Sequence, residues 1–421
     1  MGAYVITGGV KLSGEVRVQG SKNSSLPILA STVLNGDLSS LIDVPEIKDV
    51  EVMFEILKYL GAKIKKNDDG KLEIDTADIN LCEVPEHLTR QMRSSIVLMG
   101  ALLGKLGRVR ISYPGGCEIG PRPIDLHLKG LASLGVKLNE KHGFVYAEAE
   151  QLKGAEIHLD FPSVGATENI LMAAVLAKGV TIIRNAAKEP EIVDLQNFLN
   201  RMGARIIGAG TDTIKIEGCN VGELKKVYDY RIIPDRIAAG TYLVAAAITR
   251  GNVTIKNVVA EHLEPILAKL REVGCEITGD YDGLHLSATG RLKSLDSLRT
   301  LPYPGFPTDM QAPMMSLLAT VEGASVITET VFENRFKHAE ELRRMGAQIS
   351  ISGNIAIVRG VKKLTGAIVE AKDLRAGAAL VLAALAADGK TVVEGVRHIE
   401  RGYEKLDKNL ASIGAKVYKI D

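Results

Sequence analysis

The chain has 421 residues, more than one hydrophobic core ordinarily serves, and this length favours two domains. Hydrophobic residues make up 46% and charged residues 24%, as in an ordinary globular protein, while the net charge of +1 argues against a general nucleic-acid or membrane-surface role. The sequence shows neither a signal-peptide core nor an apolar run of membrane-spanning length, so we expect a cytoplasmic protein without membrane insertion. Disulfides and a zinc site are not expected either, because the cysteines are far apart and form no CxxC pair: Cys82, Cys117, Cys219 and Cys275.

Taken in chain order, the predicted elements form six copies of one pattern, about 70 residues apart. Each copy has an amphipathic helix, and a glycine follows it at the position where a left-handed cap is usual. A short β-rich run such as KLEID or TIKIEG comes next in all but the sixth copy. A second helix, such as LPILASTVL or GAALVLAALAA, is apolar nearly all round, which predicts that it is buried inside the amphipathic helices. The six closing glycines are Gly61, Gly135, Gly203, Gly274, Gly346 and Gly414.

The N-terminal strand AYVITGG has no helix before it, whereas the sixth copy ends before its β-rich run. Residues 2–30 also match residues 353–382 in their order of elements. We therefore expect the first residues to complete the last repeat, with both chain ends in one domain. The sequence predicts an α/β protein whose first domain is 22–229 and whose second is 1–21 plus 230–421. Each domain should hold three β/α units around three buried helices.

Polar or charged residues precede every one of the six apolar helices. Free N–H groups and the helix dipole favour anions at such positions, and Lys22, Arg93 and Arg375 add full positive charge there. The plainer alternative is a set of ordinary N-caps and solvated charges. A second group of cations, Arg122, Arg335 and Arg401, follows the other strand-to-helix junctions. The pattern predicts more than one bound anion, held in a cleft that closes between the two halves.

The segment PGGCEIGPRPIDLH, residues 114–127, has three glycines and three prolines, which exclude a regular helix or a central strand. We expect a shaped segment that presents Cys117 and Arg122. The alternative for Cys117 is a small buried residue, which fits the other three cysteines better, since they lie in strand-like or helix-end sequence. A helix N-cap is the alternative role for Asp309, and a packed or solvated histidine is the alternative for His127. Glu189 and Glu191 could be a solvated strand end or a charge relay, and they are not placed among the catalytic residues.

Longer motifs carry a resemblance that extends over the whole chain. They are GSKN at 20–23, PGGCEIGPRP at 114–123 followed by DLH, FPTDMQA at 306–312, TETVFENRF at 328–336, DLR at 373–375 and RGYE at 401–404. On these motifs the chain resembles the UDP-N-acetylglucosamine 1-carboxyvinyltransferase family of enolpyruvyl transferases. The resemblance implies a two-domain inside-out α/β barrel and the first committed step of bacterial peptidoglycan synthesis. It also implies a reaction without metal or cofactor, in which the sugar 3′-hydroxyl displaces phosphate from phosphoenolpyruvate through a tetrahedral ketal.

The same resemblance implies roles for individual residues. Cys117 is similar to the general acid that also adds to phosphoenolpyruvate and is alkylated by fosfomycin, Asp309 to the base, and Lys22 to a second proton donor. The implied phosphoenolpyruvate ligands are Lys22, Asn23, Arg122, Arg335, Arg375 and Arg401. The implied contacts to the UDP-sugar are Asn23, Arg93, Arg122, Pro123, Ile124, Asp125, Leu126, Ser163, Val164, Gly165, Thr308, Asp309 and Val331.

One position departs from the family pattern, because Phe161 and Pro162 stand where some members have a lysine before a VSVG segment. One contact to the diphosphate is therefore in doubt.

Two other functions compete with the family assignment. The sister enzyme that makes enolpyruvylshikimate phosphate shares the fold and chemistry, although the PGGC segment and the DLH after it favour the nucleotide-sugar enzyme. A non-catalytic ring-like clamp or scaffold should carry a broad basic surface if it binds DNA, which the net charge of +1 does not favour. The sequence names no protein partner.

Overall fold

The computed structural model describes residues 2–115, 123–280 and 283–420. These residues form two compact units. The Lys22 unit comprises residues 20–115 and 123–233, and the Asp309 unit comprises residues 2–19 and 234–420. The domain limits given above, 22–229 and 1–21 plus 230–421, stay a prediction. Within the described ranges, every helix is too short or too polar to cross a membrane.

Three helices lie at the centre of each unit, as the apolar sequence patterns predict. Every residue of Arg236–Ile248 and of Gln311–Leu318 is buried, and so are most residues of the other four. Substituting alanine for a leucine in such a core costs about 2–5 kcal/mol of stability. Short 3₁₀ turns, Arg93–Val97 and Thr308–Met310, lead into two of them. The central helices are Lys22–Ser31, Leu98–Leu106 and Val164–Val175 in the Lys22 unit, and Arg236–Ile248, Gln311–Leu318 and Leu374–Ala386 in the Asp309 unit.

A second set of helices packs outside the first and keeps one face in solvent. The glycine that follows each of them has a positive φ, between 90° and 116°, which confirms the predicted left-handed caps. These helices are Lys48–Leu60, Asp125–Ser133, Pro190–Met202, Glu264–Val273, His338–Arg344 and Leu406–Ser412. Shorter helical turns are Glu86–Thr89, Val221–Glu223, Ala260–Leu263 and Val396–Ile399.

Sheets surround the central helices, and within the described ranges each unit has three of them. Buried and exposed residues alternate along most strands, so one face packs on the helices and the other meets water. In the Lys22 unit the sheets, in spatial order, are Val227–Arg231, Leu38–Ile42, Leu72–Asp75, Lys63–Lys66; Arg108–Ser112, Phe144–Glu148, Lys137–Lys141; and Arg205–Ile207, Thr213–Glu217, Val180–Arg184, Glu156–His158. In the Asp309 unit they are Glu276–Asp280, Gly283–Ser287, Asn252–Lys256, Ser13–Arg17; Ser297–Arg299, Ala324–Thr328, Ile355–Arg359, Gln348–Ser352; and Ile368–Glu370, Lys390–Glu394, Ala3–Thr7, Lys416–Ile420.

The N-terminal strand completes the last repeat, as predicted. Ala3–Thr7 lies between Lys390–Glu394 and Lys416–Ile420 and pairs antiparallel with both. The chain then continues into Ser13–Arg17, which adds a parallel edge strand to Asn252–Lys256 in the fourth repeat. The N-terminal segment thus closes the ring of repeats in the Asp309 unit.

In the Lys22 unit a strand also joins the last repeat to the first. Val227–Arg231, from the end of the third repeat, pairs parallel with Leu38–Ile42 of the first. Helices inside and sheets outside confirm the predicted inside-out α/β arrangement within each unit. In the Asp309 unit the starts of two central helices, Gln311–Leu318 and Leu374–Ala386, lie close together. Hydrogen bonds between Asp309 and Arg375 join them.

Candidate active site

A carboxylate flanked by two buried arginines occupies the helix starts of the Asp309 unit. Arg335 donates through Nη2 to Asp309 Oδ1 at 2.8 Å. Arg375 donates through Nε and Nη2 to Asp309 Oδ2 at 3.1 and 2.9 Å. Both arginine side chains are 4% exposed, whereas that of Asp309 is 26% exposed. The carboxylate therefore keeps a face open to a ligand while the arginines hold it in place.

The alternative role of Asp309 as an N-cap is wrong. The capping positions of the 3₁₀ turn and of the helix after it are Pro307 and Met310, and neither makes a side-chain capping bond. In the next central helix, Leu374–Ala386, an aspartate does cap the start: Asp373 Oδ1 accepts from the N–H groups of Arg375 and Ala376 at 2.9 Å each. The Asp309 carboxylate accepts hydrogen bonds from both arginines.

Arg375 contacts an aromatic ring as well as Asp309. Its guanidinium lies 5.3 Å from the ring centre of Tyr403, whose hydroxyl is 2.9 Å from Thr241 Oγ1. Burial by itself lowers the pKa of Arg375, but the charge of Asp309, together with Tyr403 and Asp235, more than offsets it and the net shift is upward. The Nη1 atom finds no hydrogen-bond partner among the described residues. A fixed cation with a spare donor suits an anionic ligand such as a carboxylate or phosphate.

Thr308 and Val331 both donate hydrogen bonds to Glu329, a residue that the sequence analysis did not single out. Glu329 accepts from Thr308 Oγ1 at 2.9 Å and from the Val331 N–H at 2.8 Å. The only sequence signal for Glu329 is its place in the TETVFENRF motif. Arg401 lies half-buried beyond the helical turn Val396–Ile399.

In the Lys22 unit, Lys22 is the first residue of a central helix that Ser21 caps through the Ser24 N–H at 3.3 Å. Its Nζ lies 2.9 Å from Asp49 Oδ2, and the two side chains are 11% and 2% exposed. Asp49 was missed because an acid in the first turn of an outer helix looks like ordinary dipole complementation. Asn23 is half-buried beside them.

The predicted nucleotide positions of this unit also cluster at a helix start. Ser163 caps Val164–Val175 by accepting from the Ala166 N–H at 3.4 Å. A β-carbon on Gly165 would lie 2.9 Å from Cε1 of His127, so only glycine fits against this ring. The ring is itself fixed, since Nδ1 is 2.7 Å from Asn169 Nδ2.

Other predicted positions are distributed more loosely. Arg93 begins its 3₁₀ turn half-buried, and Ile124 is buried between exposed Pro123 and Asp125, with Leu126 half-buried. Phe161 is 45% exposed. Cys117 and Arg122, with the segment expected to present them, lie outside the described residues.

A carboxyl cluster that sequence reasoning only partly noted lies in the same unit. Burial raises the pKa of Glu168 well above its ordinary value, and the charges of Glu191 and Glu189 raise it further. Within the described ranges, no group of three histidine, cysteine or acidic side chains has an arrangement suited to a metal ion.

The remaining cysteines differ partly from expectation. Cys275 follows a helix end and is buried, but half-buried Cys82 and Cys219 lie outside any helix or strand. Cys82 lies beside a single bridge at Glu83 rather than in a strand, because only one residue there pairs. Burial raises the pKa of Cys219, and raises that of Cys275 to about 11.

His338 is 3% exposed and lies near Arg335, and its titration should affect the stability of the fold. Burial lowers its pKa to about 4, with the Arg335 charge acting in the same direction and Asp373 against it. The unfolded chain binds this proton below about pH 6.5, so between pH 6.5 and 4 it holds more protons than the folded chain. Stability should therefore fall as the pH falls, by up to about 1.4 kcal/mol per pH unit from this group.

Urea unfolding of the wild type and of His338→Gln at several pH values in this range measures the effect. The difference in free energy of unfolding between the two should shift in favour of the variant as the pH falls. Parallel pH curves would show that His338 does not titrate in this way.

Comparison with known proteins supplies the family. The family model described as EPSP synthase (3-phosphoshikimate 1-carboxyvinyltransferase) matches residues 6–410. UDP-N-acetylglucosamine 1-carboxyvinyltransferase 2 of Caldanaerobacter subterraneus subsp. tengcongensis is 56% identical, and that of Carboxydothermus hydrogenoformans is 55% identical, each over the whole of both chains. Among solved structures, the enolpyruvyl transferase NikO from Streptomyces tendae aligns with a TM-score of 0.90 at 26% identity, covering 99% of this chain and 98% of its own. An EPSP synthase from Acinetobacter baumannii, at 18% identity and complete coverage of both chains, shares the fold with a TM-score of 0.77. The chain therefore belongs to the EPSP synthase family of carboxyvinyltransferases, within which its relatives at half or more identity are UDP-N-acetylglucosamine 1-carboxyvinyltransferases.

Proposed function

We propose that the protein transfers the enolpyruvyl group of phosphoenolpyruvate to the 3′-hydroxyl of UDP-N-acetylglucosamine and releases phosphate. The full-length relatives at 50–56% identity bear the name of this activity. The reaction is the first committed step of peptidoglycan synthesis, and we place it in the cytoplasm.

One observation carries the proposal on the chemical side: a partly exposed carboxylate is held between two buried arginines. The transfer needs a base at an alcohol beside cations that bind phosphate and carboxylate. Asp309 has the exposure to accept the proton of the sugar hydroxyl, and Arg375 has a spare buried donor for an anion. In our proposal Arg335 and Arg401 add to the same charge, and Lys22, Asn23 and Arg122 bind the rest of phosphoenolpyruvate.

The proposed reaction proceeds by addition and elimination. The 3′-oxygen bonds to C2 of phosphoenolpyruvate as Asp309 takes the hydroxyl proton and C3 gains a proton, from Cys117 or Lys22. The resulting ketal loses phosphate from C2 and a proton from C3, which restores the double bond in the enolpyruvyl product. We assign the nucleotide sugar to the helix starts around Arg93 and 163–165 and to residues 123–126, 308 and 331.

The shikimate reaction is the competing assignment, since the family model is named for it. Similarity separates the two: the solved EPSP synthase is 18% identical, whereas the nucleotide-sugar relatives exceed half identity.

A phosphate-release assay with phosphoenolpyruvate decides between them. Phosphate should appear with UDP-N-acetylglucosamine as acceptor and not with shikimate 3-phosphate. Release with shikimate 3-phosphate alone would transfer the assignment to the sister reaction, and release with neither would contradict both.

A further inference from the structure

Glu329 is a buried carboxylate just past the strand Ala324–Thr328, and it is 2% exposed. Its Oε1 accepts from Thr300 Oγ1 at 2.8 Å, from the Val331 N–H at 2.8 Å and from the Phe332 N–H at 3.2 Å. Its Oε2 accepts from Thr308 Oγ1 at 2.9 Å. Among the residues that the structure describes, no lysine or arginine forms an ion pair with it.

This arrangement is unusual because burying a carboxylate without a cation is costly unless hydrogen bonds replace its water. Four neutral donors do so here, and three of them converge on Oε1. Two of these bonds, from the Val331 and Phe332 N–H groups, close the turn that begins at Glu329, and the third joins the turn to Thr300. The fourth bond, which the Thr308 hydroxyl donates to Oε2, adds nothing to the turn and involves the residue directly before Asp309.

Glu329 thus contacts the segments that carry both partners of the ion pair between Asp309 and Arg335. On one side, Thr308 starts the 3₁₀ turn that carries Asp309. On the other, the turn at Val331 and Phe332 leads to Arg335, whose Nη2 is 2.8 Å from Asp309. A shift of either segment would change where the carboxylate and guanidinium meet.

We propose that Glu329 is a positioning residue, which fixes Thr308 and Val331 for the nucleotide sugar and aligns Asp309 with Arg335. This inference rests on the proposed function, since it assigns Thr308 and Val331 to the sugar substrate. Glu329 acts only through its neighbours, because it is buried beneath them.

Two substitutions of Glu329 test the idea. Glu329→Ala removes all four bonds, and we expect the KM for UDP-N-acetylglucosamine to rise roughly tenfold or more and kcat to fall, because Thr308 and Asp309 are no longer held in place. Glu329→Gln keeps an oxygen for the two N–H groups, and its amide can donate to the Thr308 hydroxyl, so it should lie between the alanine variant and the wild type.

Thr300→Val is the control, because it removes the hydrogen bond from Thr300 to Oε1 and the one that Thr300 accepts from the Thr330 N–H, while the bond between Thr308 and Oε2 stays. It should lower the melting temperature, as Glu329→Ala does, yet leave the KM for UDP-N-acetylglucosamine within about twofold of the wild type. A double-mutant cycle with Thr308→Val adds a second readout: the effect of Thr308→Val should largely vanish in the Glu329→Ala background.

Hydrogen–deuterium exchange separates this inference from the proposed function, because it needs no turnover. Glu329→Ala should speed exchange in residues 306–310, and Thr300→Val should not. If the wild type turns over but Glu329→Ala keeps its KM values, or matches Thr300→Val in both KM and exchange, the positioning role is wrong. If the wild type fails to turn over, unchanged exchange at 306–310 in Glu329→Ala still overturns the link to Thr308.

Discussion

Asp309→Asn is expected to lower kcat by roughly 10²-fold or more, because the amide cannot accept the proton of the sugar hydroxyl. The KM for phosphoenolpyruvate should change much less, provided that Arg335 and Arg375 stay in place. Steady-state phosphate release with each substrate varied in turn measures both quantities.

The ion pairs of Asp309 complicate this substitution, so stability must be measured beside activity. Asparagine has the size of aspartate but leaves two guanidinium groups, each 4% exposed, without their anionic partner. We expect the free energy of unfolding to fall by roughly 3 kcal/mol, as when one partner of a buried ion pair is removed.

Asp309→Glu distinguishes the base from the ion-pair partner. Glutamate keeps the charge between the arginines but moves the carboxylate by one methylene. It should therefore recover most of the stability and little of the turnover. Asp388→Asn, at an exposed ion pair with Lys363, controls for the loss of a charge elsewhere in the unit. Turnover near wild type in Asp309→Asn would remove Asp309 from the base role.

The elements of the fold could be predicted because their signals are local. A glycine after an amphipathic helix and an apolar helix after a polar start both lie within about a dozen residues, and six copies of the pattern reinforce each other. The N-terminal strand was predictable for the same reason, since the sixth repeat visibly ends before its β-rich run.

Contacts at the site could be predicted only in part. Lys22, Arg335 and Arg375 have residue types and positions that point to an anion site, but the hydrogen bonds that join these two arginines to Asp309 span 26 and 66 positions of the sequence. No periodicity fixes such contacts, which depend on the direction of side chains after the repeats have packed. Glu329 escaped notice because an acid after a strand looks solvated until its burial is known.

Cys117 is expected to be the fast-reacting thiol of the chain, with fosfomycin as the small anionic electrophile that the family implies. It lies outside the described residues, so the expectation rests on its glycine-rich sequence beside Arg122 and on the other cysteines. Burial raises the pKa of both Cys219 and Cys275, that of Cys275 to about 11, so little reactive thiolate forms at either near neutral pH. Peptide mass mapping after brief labelling should find the adduct on Cys117.

Two substitutions then separate acid catalysis by Cys117 from its nucleophilicity. Cys117→Asp keeps an ionisable proton donor of similar size but loses the sulfur, so it should retain phosphate release and resist alkylation. Cys117→Ala loses both properties and should stop sustained turnover. Cys82→Ala is the matched control, because it removes a half-buried cysteine and should leave turnover and the labelling of Cys117 unchanged. Labelling spread evenly over all four cysteines, or an alanine variant as active as the wild type, would make Cys117 an ordinary packing residue.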